Sequence, residues 1–355
     1  MSSVQANTVP GTRLKPLNLL LPILLLLVLF GLSYGAAQHD SGIMDEPPNL
    51  VAGHYLWKTG HYNIDREHPP LARLIEALPL LFLPVEMAQS NPDGTMPPYW
   101  PLSVEFLYEN TVPAPRILMP ARLMVMGLSV LLGAFLWWWG NQLFGPPAGV
   151  IALLMCTLNP LILAHGHLAT TDLAIALTFP LALACLSKYV GHPSTRNAVV
   201  AGIGLGVALA TKGSAVLLLP IYLFILAWTW RKQPPSGWVF LKHGGACLAA
   251  ALAVLTTVYW GDLGAFFASV REVLFHSAAG HENYLLGRLS ISGSPIYFLV
   301  AFLLKNPIPF LILLATAALL VRRSPHRELV SVWLIFPSLL FFFVASLSDL
   351  QIGLR

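Results

Sequence analysis

Two acidic motifs follow the first apolar segment of the chain, and about twenty residues separate them. The first is Asp45-Glu46-Pro47, and the second is Glu67-His68-Pro69-Pro70. A carboxylate can act as a general base towards a hydroxyl group, and an imidazole can share a proton or bind a phosphate oxygen. Two successive prolines stiffen the backbone and hold neighbouring groups in a fixed direction. The local sequence is equally compatible with a solvated acidic pair and an ordinary proline turn.

Two more candidate residues lie at the borders of later apolar segments. Asp172 follows His165-Gly166-His167 and begins an apolar segment, where it can join the acidic motifs or cap a helix. Lys212 interrupts the apolar run 197–230. An ionisable residue in such a run is a candidate functional residue, and a lysine can neutralise a phosphate. The alternative is a lysine whose side chain reaches out to the membrane surface.

A polar and aromatic motif in a late loop supplies the last candidates. Tyr284 and Arg288 lie within residues 281–288. A tyrosine can stack on a sugar or hydrogen-bond to it, and an arginine can hold an anionic group. The alternative is an aromatic anchor at the membrane surface, which is common in membrane proteins.

The elements that must position these residues are predicted to be transmembrane helices. Of the 355 residues, 56% are hydrophobic and 10% are charged, whereas soluble domains carry about 25% charged residues. Nine apolar segments are long enough to predict spans, namely 17–37, 117–139, 148–164, 173–189, two within 197–230, 244–260, 297–321 and 329–346. The run 197–230 would be about 50 Å long as one helix, so we predict two helices that bend at Thr211-Lys212-Gly213. The predicted fold class is an all-α polytopic membrane protein, a transmembrane helical bundle.

The charges predict which loops face outwards. With residues 1–16 in the cytoplasm, the loops 38–116 and 261–295 lie outside, together with all but Glu328 of the 16 acidic residues. The first outer loop is too long for a simple connection. It contains a predicted interfacial helix, Leu71 to Leu83, and a proline-rich segment, 91–101, predicted to be an irregular lid. We expect the functional surface on this outer side.

Several classes of site have no support in the sequence. The three cysteines, Cys156, Cys185 and Cys247, lie in apolar runs and are expected to be buried hydrophobic residues. The chain contains no nucleotide-binding or zinc-protease motif, so we assign no metal ligands and expect no nucleic acid partner. No cofactor is certain, and acidic and histidine side chains near one surface permit a divalent metal without requiring it.

The order of the motifs resembles one group of membrane enzymes. E-H-P-P-L-A-R-L, H-L-A-T-T-D-L, A-T-K-G-S-A-V-L-L-L-P and G-H-E-N-Y-L-L-G-R follow one another after an N-terminal span and an acidic pair. This order resembles the phospholipid carrier-dependent glycosyltransferases of the GT-C fold, which include protein O-mannosyltransferases and lipid A aminoarabinose transferases. The resemblance extends over about residues 15–355.

The resemblance implies a hexosyl- or mannosyltransferase-like enzyme. Its donor would be a monosaccharide on polyprenyl or dolichyl phosphate. Its acceptor would be a hydroxyl group of a protein, a lipid or a glycan, at the outer face of the cytoplasmic membrane. The transfer would invert the configuration of the anomeric carbon, with a carboxylate as the base.

The resemblance also assigns roles to individual residues. Asp45 matches the catalytic acidic position of the family and Glu46 its partner, while Glu67 and His68 match a loop motif near the reacting centre. Asp172 matches the acidic residue of the second outer loop. The candidates for contacts with the leaving phosphate are Lys212 and Arg288, and Tyr284 is the candidate for contact with the sugar.

The end of the chain departs from the family pattern. The family usually carries further spans, and Gly353-Leu354-Arg355 resembles the start of a motif that leads into another helix. We therefore expect residues 17–355 to form a GT-C-like domain that lacks its C-terminal part. The alternative functions are a transporter or flippase for a lipid-linked solute, which predicts inverted repeats and polar residues at mid-membrane, and a non-catalytic scaffold.

Overall fold

The computed structural model describes residues 17–87, 96–349 and 351, and the chain there is almost entirely helical. The predicted cytoplasmic N-terminus 1–16, residues 91–95 of the predicted lid, and Gly353-Leu354-Arg355 lie outside the described residues. The helices are α1 (Leu17–His39), α2 (Glu46–Thr59), α3 (Leu71–Ala77), α4 (Tyr99–Tyr108), α5 (Ala114–Phe144), α6 (Pro146–Thr157), α7 (Pro160–His165), α8 (Thr171–Gly191), α9 (Thr195–Leu209), α10 (Leu218–Lys232), α11 (Gly237–Val258), α12 (Leu263–Ala279), α13 (Tyr297–Lys305), α14 (Ile308–Leu320), α15 (Arg327–Val330) and α16 (Phe336–Leu347).

Shorter elements complete the fold. The 3₁₀ segments are Leu78–Phe82, Gly213–Leu217 and Val321–Arg323, and Ser331–Ile335 is a π-helical turn between α15 and α16. The strands β1 (Asn283–Leu285) and β2 (Arg288–Ser290) pair antiparallel as a hairpin.

The long apolar helices confirm an all-α polytopic membrane protein. Within the part of the chain that the structure describes, six helical segments are long and apolar enough to cross a membrane, or seven if α13 and α14, which are bent by 117° at their junction, form one span. The six segments are Leu19–His39, Ala114–Phe144, Thr171–Gly191, Gly213–Lys232, Gly237–Val258 and Arg327–Leu347.

The prediction of nine spans exceeds the six by three. One predicted span, 297–321, is the bent pair α13 and α14, and the other two differ for local reasons. The predicted span 148–164 is divided into α6 and α7, because the Asn159 side chain accepts hydrogen bonds from the N–H groups of Leu161 and Ile162 and so caps a new helix. Pro160 fits the first turn of that helix, where its missing N–H costs nothing. The other short element, α9, has 15 residues, fewer than the roughly 20 that a transmembrane helix needs.

The predicted bend at Lys212 is confirmed. The chain leaves α9 at Leu209, and Lys212 has an extended backbone with φ −155° and ψ 144° before the Gly213–Leu217 turn leads into α10. The Tyr222 hydroxyl of α10 donates to the carbonyl of Ala182 at 2.7 Å and lies 3.3 Å from that of Ala201. The helix after the bend therefore packs against both α8 and α9, and Lys212 lies at a turn between helices.

Polar contacts gather several helix ends at one end of the bundle. Arg122, near the start of α5, donates to the carbonyls of Ala37 and Asp40 at the end of α1. Lys212, which precedes α10, is paired with Asp172 in the first turn of α8. We call the end of the bundle that holds Arg122, Asp172 and Lys212 the polar end. Lys188, Arg231 and Lys232 lie in the last turns of α8 and α10, at the opposite end.

The first long loop folds into a helical cap over the polar end. Helices α2, α3 and α4 bury apolar side chains against the start of α5, and Leu50, Leu80, Leu107 and Ile117 are fully buried there. A Cβ atom on Gly53 would lie 2.2 Å from the carbonyl oxygen of Arg73, so glycine permits α2 and α3 to cross closely.

Two details of the cap differ from the sequence predictions. The predicted helix from Leu71 is confirmed as α3, but Arg73 and Glu76 are buried, whereas an interfacial helix would expose its charges to water. The predicted irregular lid is wrong for its last residues, because α4 begins at Tyr99.

Candidate active site

A cleft between the cap and the transmembrane helices collects most of the predicted site residues. Counted to its open mouth, it has an empty volume of about 450 Å³. Its lining consists of Asp45, Pro48, Asn49, Asp65, Glu67, His68, Arg73, Tyr99, Trp100, Thr170, Thr171, Asp172 and Lys212.

The first turn of α2 lies between two sides of the cleft. The Asn49 amide donates to the carbonyl of Ala169 at 3.2 Å and accepts a hydrogen bond from Arg73 Nε at 3.0 Å. Asp45 immediately precedes α2, one helical turn before Asn49. Asp45 also lines the cleft, and the turn of α2 that it precedes is bonded to the side that holds Arg73 and to the segment that leads to Asp172.

Glu46 is not among the cleft residues, although it was predicted beside Asp45 as catalytic. Its carboxylate is fully buried and forms a two-point ion pair with Arg122, at 2.8 Å and 2.7 Å. It also accepts hydrogen bonds from the N–H groups of Ile43 at 3.0 Å and Ala169 at 2.9 Å. This pattern saturates the carboxylate and ties the chain around Asp45 to α5 and to the segment before α8.

Buried charges fix the corner that carries Glu67 and His68. Asp65 has a φ of +44°, in a region that residues other than glycine rarely adopt. The Arg73 guanidinium forms an ion pair with the Asp65 carboxylate and donates to the Asp65 carbonyl at 2.7 Å. Burial opposes ionisation of Asp65, but the Arg73 charge and the nearby His68 imidazole hold the pKa of this carboxyl well below its usual range.

Glu67 connects this corner to α12. The Glu67 carboxylate lies 2.8 Å from His276 Nδ1, and the Ser269 hydroxyl donates to the Glu67 carbonyl at 3.0 Å. The predicted outer loops 38–116 and 261–295 therefore meet at Glu67. His68 is about one third exposed and lies 3.6 Å from the Asp65 carboxylate.

The opposite side of the cleft holds a buried acid and its cation. Asp172 lies 2.5 Å from Lys212 Nζ and accepts a hydrogen bond from the Thr170 hydroxyl at 3.3 Å. Thr170 occupies the cap position of α8, so Asp172 lies in the first turn, where the helix dipole favours a negative charge. Asp172 is 6% exposed and Lys212 is 25% exposed, so the lysine is the member of the pair that a ligand can reach.

One group of three side chains has the composition of a cation site. Ligand atoms of Asp65, Glu67 and His68 lie within 4.8 Å of one another. Carboxylate and imidazole ligands suit divalent metals such as zinc or manganese. The Arg73 charge already balances Asp65, which lowers the net negative charge available to a metal.

Tyr284 and Arg288 lie outside this cleft. Both side chains are exposed on the β1–β2 hairpin, whose tight turn uses Leu286 and Gly287 at φ 49° and 84°. The hairpin and Asp349 border a separate, wide-open hollow whose empty volume, counted in the same way, is about 1070 Å³. The predicted contacts of Tyr284 and Arg288 with sugar and phosphate therefore stay predictions.

The bundle that carries the cleft matches a family of membrane glycosyltransferases. Residues 117–260 match the family described as dolichyl-phosphate-mannose-protein mannosyltransferase. This match supports a GT-C-type glycosyltransferase family. The matched segment carries Arg122, Asp172 and Lys212, whereas Asp45 and Glu67 precede it. No curated protein matches the chain.

Several residues in or next to this cleft escaped the sequence analysis. Arg122 interrupts an apolar run just as Lys212 does, and the same rule would have selected it. His276 and Arg73 have no such signal, because each gains its importance from a partner distant in the chain. The aromatic residues Tyr99 and Trp100 were assigned to a lid of no defined chemistry.

Glu76 is a further buried acid behind the cleft. It is fully buried, and neither carboxylate oxygen has a hydrogen-bond partner among the described residues. Burial raises its pKa well above the usual value; Arg73 partly offsets this, and Glu46 and Asp172 reinforce it. At a pH between the pKa of Glu76 in the unfolded chain and its higher pKa in the folded protein, only the folded state keeps the Glu76 carboxyl protonated. The free energy of unfolding therefore falls as pH rises towards the folded pKa.

We expect Glu76→Gln to remove this pH-dependent loss. The variant should gain thermal stability relative to wild type from pH 5 to pH 8, by at most about 1.4 kcal/mol for each pH unit. Glu272→Gln, at an exposed position of α12, is the matched control and should show no gain. The measurement is thermal unfolding in detergent across this pH range, and a constant loss of stability in Glu76→Gln would contradict a protonated Glu76.

Proposed function

We propose that the chain transfers a monosaccharide from polyprenyl or dolichyl phosphate to a hydroxyl group of an acceptor. The observation that carries the proposal is the cleft itself. It brings a carboxylate, Asp45, and a reachable cation, Lys212, together at one end of a transmembrane bundle. The family match supports a membrane glycosyltransferase in general, and the donor, the acceptor and the roles of the residues are proposed here.

The proposed reaction is a single displacement. Asp45 takes the proton of the acceptor hydroxyl while the acceptor oxygen bonds to the anomeric carbon. The bond from that carbon to the phosphate oxygen breaks on the opposite face, and its electron pair stays on the lipid phosphate. Lys212 balances the charge that develops on the phosphate. The products are the glycosylated acceptor with inverted configuration, the lipid phosphate and a proton on Asp45.

The neighbouring residues receive supporting roles. Asp172 orients Lys212 through their ion pair. Glu67 and His68 line the cleft on the corner that the Asp65–Arg73 ion pair holds. We assign Glu46 a positioning role, because its carboxylate is saturated by Arg122 and two backbone N–H groups.

We propose that the polar end faces outwards from the cytoplasmic membrane. Lys188, Arg231 and Lys232 lie at the opposite end, as the positive-inside rule requires of a cytoplasmic surface. A transporter would instead place polar groups near the middle of the membrane. The site described here lies at helix ends, which supports chemistry at one surface.

The experiment tests the lipid-phosphate donor directly. The protein in nanodiscs is incubated with a panel of radiolabelled polyprenyl-phosphate monosaccharides and with hydroxyl acceptors of the three classes. Transfer of label to an acceptor, with release of polyprenyl phosphate, supports the proposal. If thermal unfolding shows that the protein is folded and no donor supports transfer of label, the proposal is contradicted.

Lys212→Met is expected to weaken binding of polyprenyl phosphate about 10- to 100-fold, the range for loss of a hydrogen bond to a charged group. The measurement is competition of unlabelled polyprenyl phosphate with a labelled donor. Lys58→Met, at an exposed position of α2, is the matched control and should bind normally.

A second variant separates direct contact from repulsion by Asp172. The double variant Asp172→Asn, Lys212→Met restores neutrality to the pair. Binding that stays weak shows that Lys212 contacts the phosphate, whereas binding that recovers shows that Lys212 only neutralised Asp172.

A further inference from the structure

Two aromatic side chains at the start of α4 line the cleft and have no role in the reaction described above. The rings of Tyr99 and Trp100 lie 5.0 Å apart between centroids at an angle of 36°, and Trp100 is 37% exposed. The helix below them is firmly held, because Leu102 and Phe106 are buried in the core of the cap. The pair is therefore a fixed aromatic surface within the cleft.

The aromatic pair lies on the acidic side of the cleft. Tyr99 feels the charges of Asp65 and Glu67, which add to burial in raising the pKa of its hydroxyl, so the hydroxyl is a neutral donor. The charge of Asp65 is balanced by Arg73, and Glu67 is paired with His276. This side offers aromatic faces and oxygen acceptors, whereas the other side offers the Lys212 ammonium group.

The start of α2, which follows Asp45, is bonded to both sides of the cleft, and the proposed reaction requires the two sides to hold different substrates. Asn49, one turn along α2, is bonded to Arg73 on the aromatic side and to Ala169 on the Asp172 side. In a displacement with inversion, the nucleophile and the leaving phosphate lie on opposite faces of the sugar. With the phosphate at Lys212, the acceptor must approach from the side of Tyr99 and Trp100.

We propose that Tyr99 and Trp100 form the acceptor subsite and that the acceptor hydroxyl belongs to a sugar ring. A pyranose has a flat face of C–H groups that packs on an aromatic ring, and its hydroxyls donate to carboxylates such as those of Asp65 and Glu67. The proposal rests on the proposed function, because the direction of attack defines which side is the acceptor's.

The experiment measures sugar binding without requiring transfer. Radiolabelled methyl glycosides of mannose, glucose, galactose and arabinose are tested by equilibrium dialysis against the protein in nanodiscs. Wild type should bind at least one of them, and Trp100→Ala should weaken that binding about tenfold, as expected for loss of an aromatic contact. Trp238→Ala is the matched control, since Trp238 is an exposed tryptophan at the other end of the bundle.

Two competitors test the assignment to the acceptor. A polyprenyl-phosphate monosaccharide at saturating concentration should leave binding of the methyl glycoside unchanged. If it displaces the glycoside, Tyr99 and Trp100 belong to the site of the donor sugar instead. An uncharged serine peptide should compete poorly, and a peptide that binds in a Trp100-dependent manner in place of the glycosides would overturn the sugar ring as acceptor.

The remaining outcomes separate this inference from the proposed function. Failure of all four glycosides to bind, or binding that is equal in wild type and Trp100→Ala, would overturn the subsite. The protein could also bind a glycoside through Trp100, keep that binding when the donor is present, and yet transfer no sugar. That result would support the sugar subsite and contradict the proposed transferase function.

Discussion

Asp45→Asn is expected to reduce sugar transfer about 100- to 10,000-fold, the range over which a general base contributes to catalysis. Asparagine has nearly the shape of aspartate but cannot take the acceptor proton. The Asp45 side chain makes no capping hydrogen bond to α2, so the substitution leaves the helix start without a lost cap. We therefore expect a fall in kcat at nearly unchanged affinity for the donor, measured by transfer kinetics in nanodiscs.

Two comparisons make this result specific to the base. Glu272→Gln, an exposed acid on α12, should transfer sugar at the wild-type rate, and thermal unfolding should show that Asp45→Asn is folded. Equal transfer by Asp45→Asn and wild type would remove Asp45 as the base and direct attention to Glu67 and Asp172, the other acids of the cleft that carried a predicted role.

The sequence predicted where helices lie in this protein better than it predicted where each helix begins and ends. Apolar runs and the bend at Lys212 were readable because each depends on residues that are adjacent in the chain. The division between α6 and α7 was missed because a single residue, Asn159, caps a helix inside an apolar run. Hydropathy alone gives no weight to such a cap.

Five of the eight predicted site residues lie in the cleft. Asp45, Glu67, His68, Asp172 and Lys212 all line it, because acidic or basic side chains beside apolar segments are a strong signal of a site at a membrane surface.

The orientation of individual side chains was not predictable. Asp45 and Glu46 are adjacent and chemically alike, yet only Asp45 lines the cleft, while Glu46 faces Arg122 in α5. That difference is set by a partner far along the chain, and a pattern of neighbouring residues carries no information about it. The same holds for His276 beside Glu67.

The Glu46–Arg122 pair should therefore contribute to stability rather than to proton transfer. Removing one partner of a buried ion pair typically costs about 3–5 kcal/mol, because the other charge is left buried without compensation. We expect Glu46→Gln to lower the thermal midpoint strongly in detergent. Arg122→Met should lower it further, because Arg122 also donates to the carbonyls of Ala37, Asp40 and Ser41.

An exposed ion pair at the other end of the bundle provides the matched control. Lys232 and Glu328 form a pair in which both side chains are about half exposed. Such pairs contribute about 0–1 kcal/mol, so Glu328→Gln should barely change the thermal midpoint. A similar loss in Glu46→Gln and Glu328→Gln would show that burial of the Glu46–Arg122 pair has no special effect.

The double variant Glu46→Leu, Arg122→Met decides between positioning and catalysis. It removes both charges together, so its loss of stability should be smaller than the sum of the single losses. If Glu46 only positions Asp45, the transfer rate of each folded variant should fall in step with its loss of stability. The double variant should then recover part of the transfer rate that the single variants lose. A Glu46→Gln protein with wild-type stability and a collapsed kcat would instead return Glu46 to the catalytic residues, because a saturated carboxylate that merely ties α2 to α5 cannot be lost without weakening the fold.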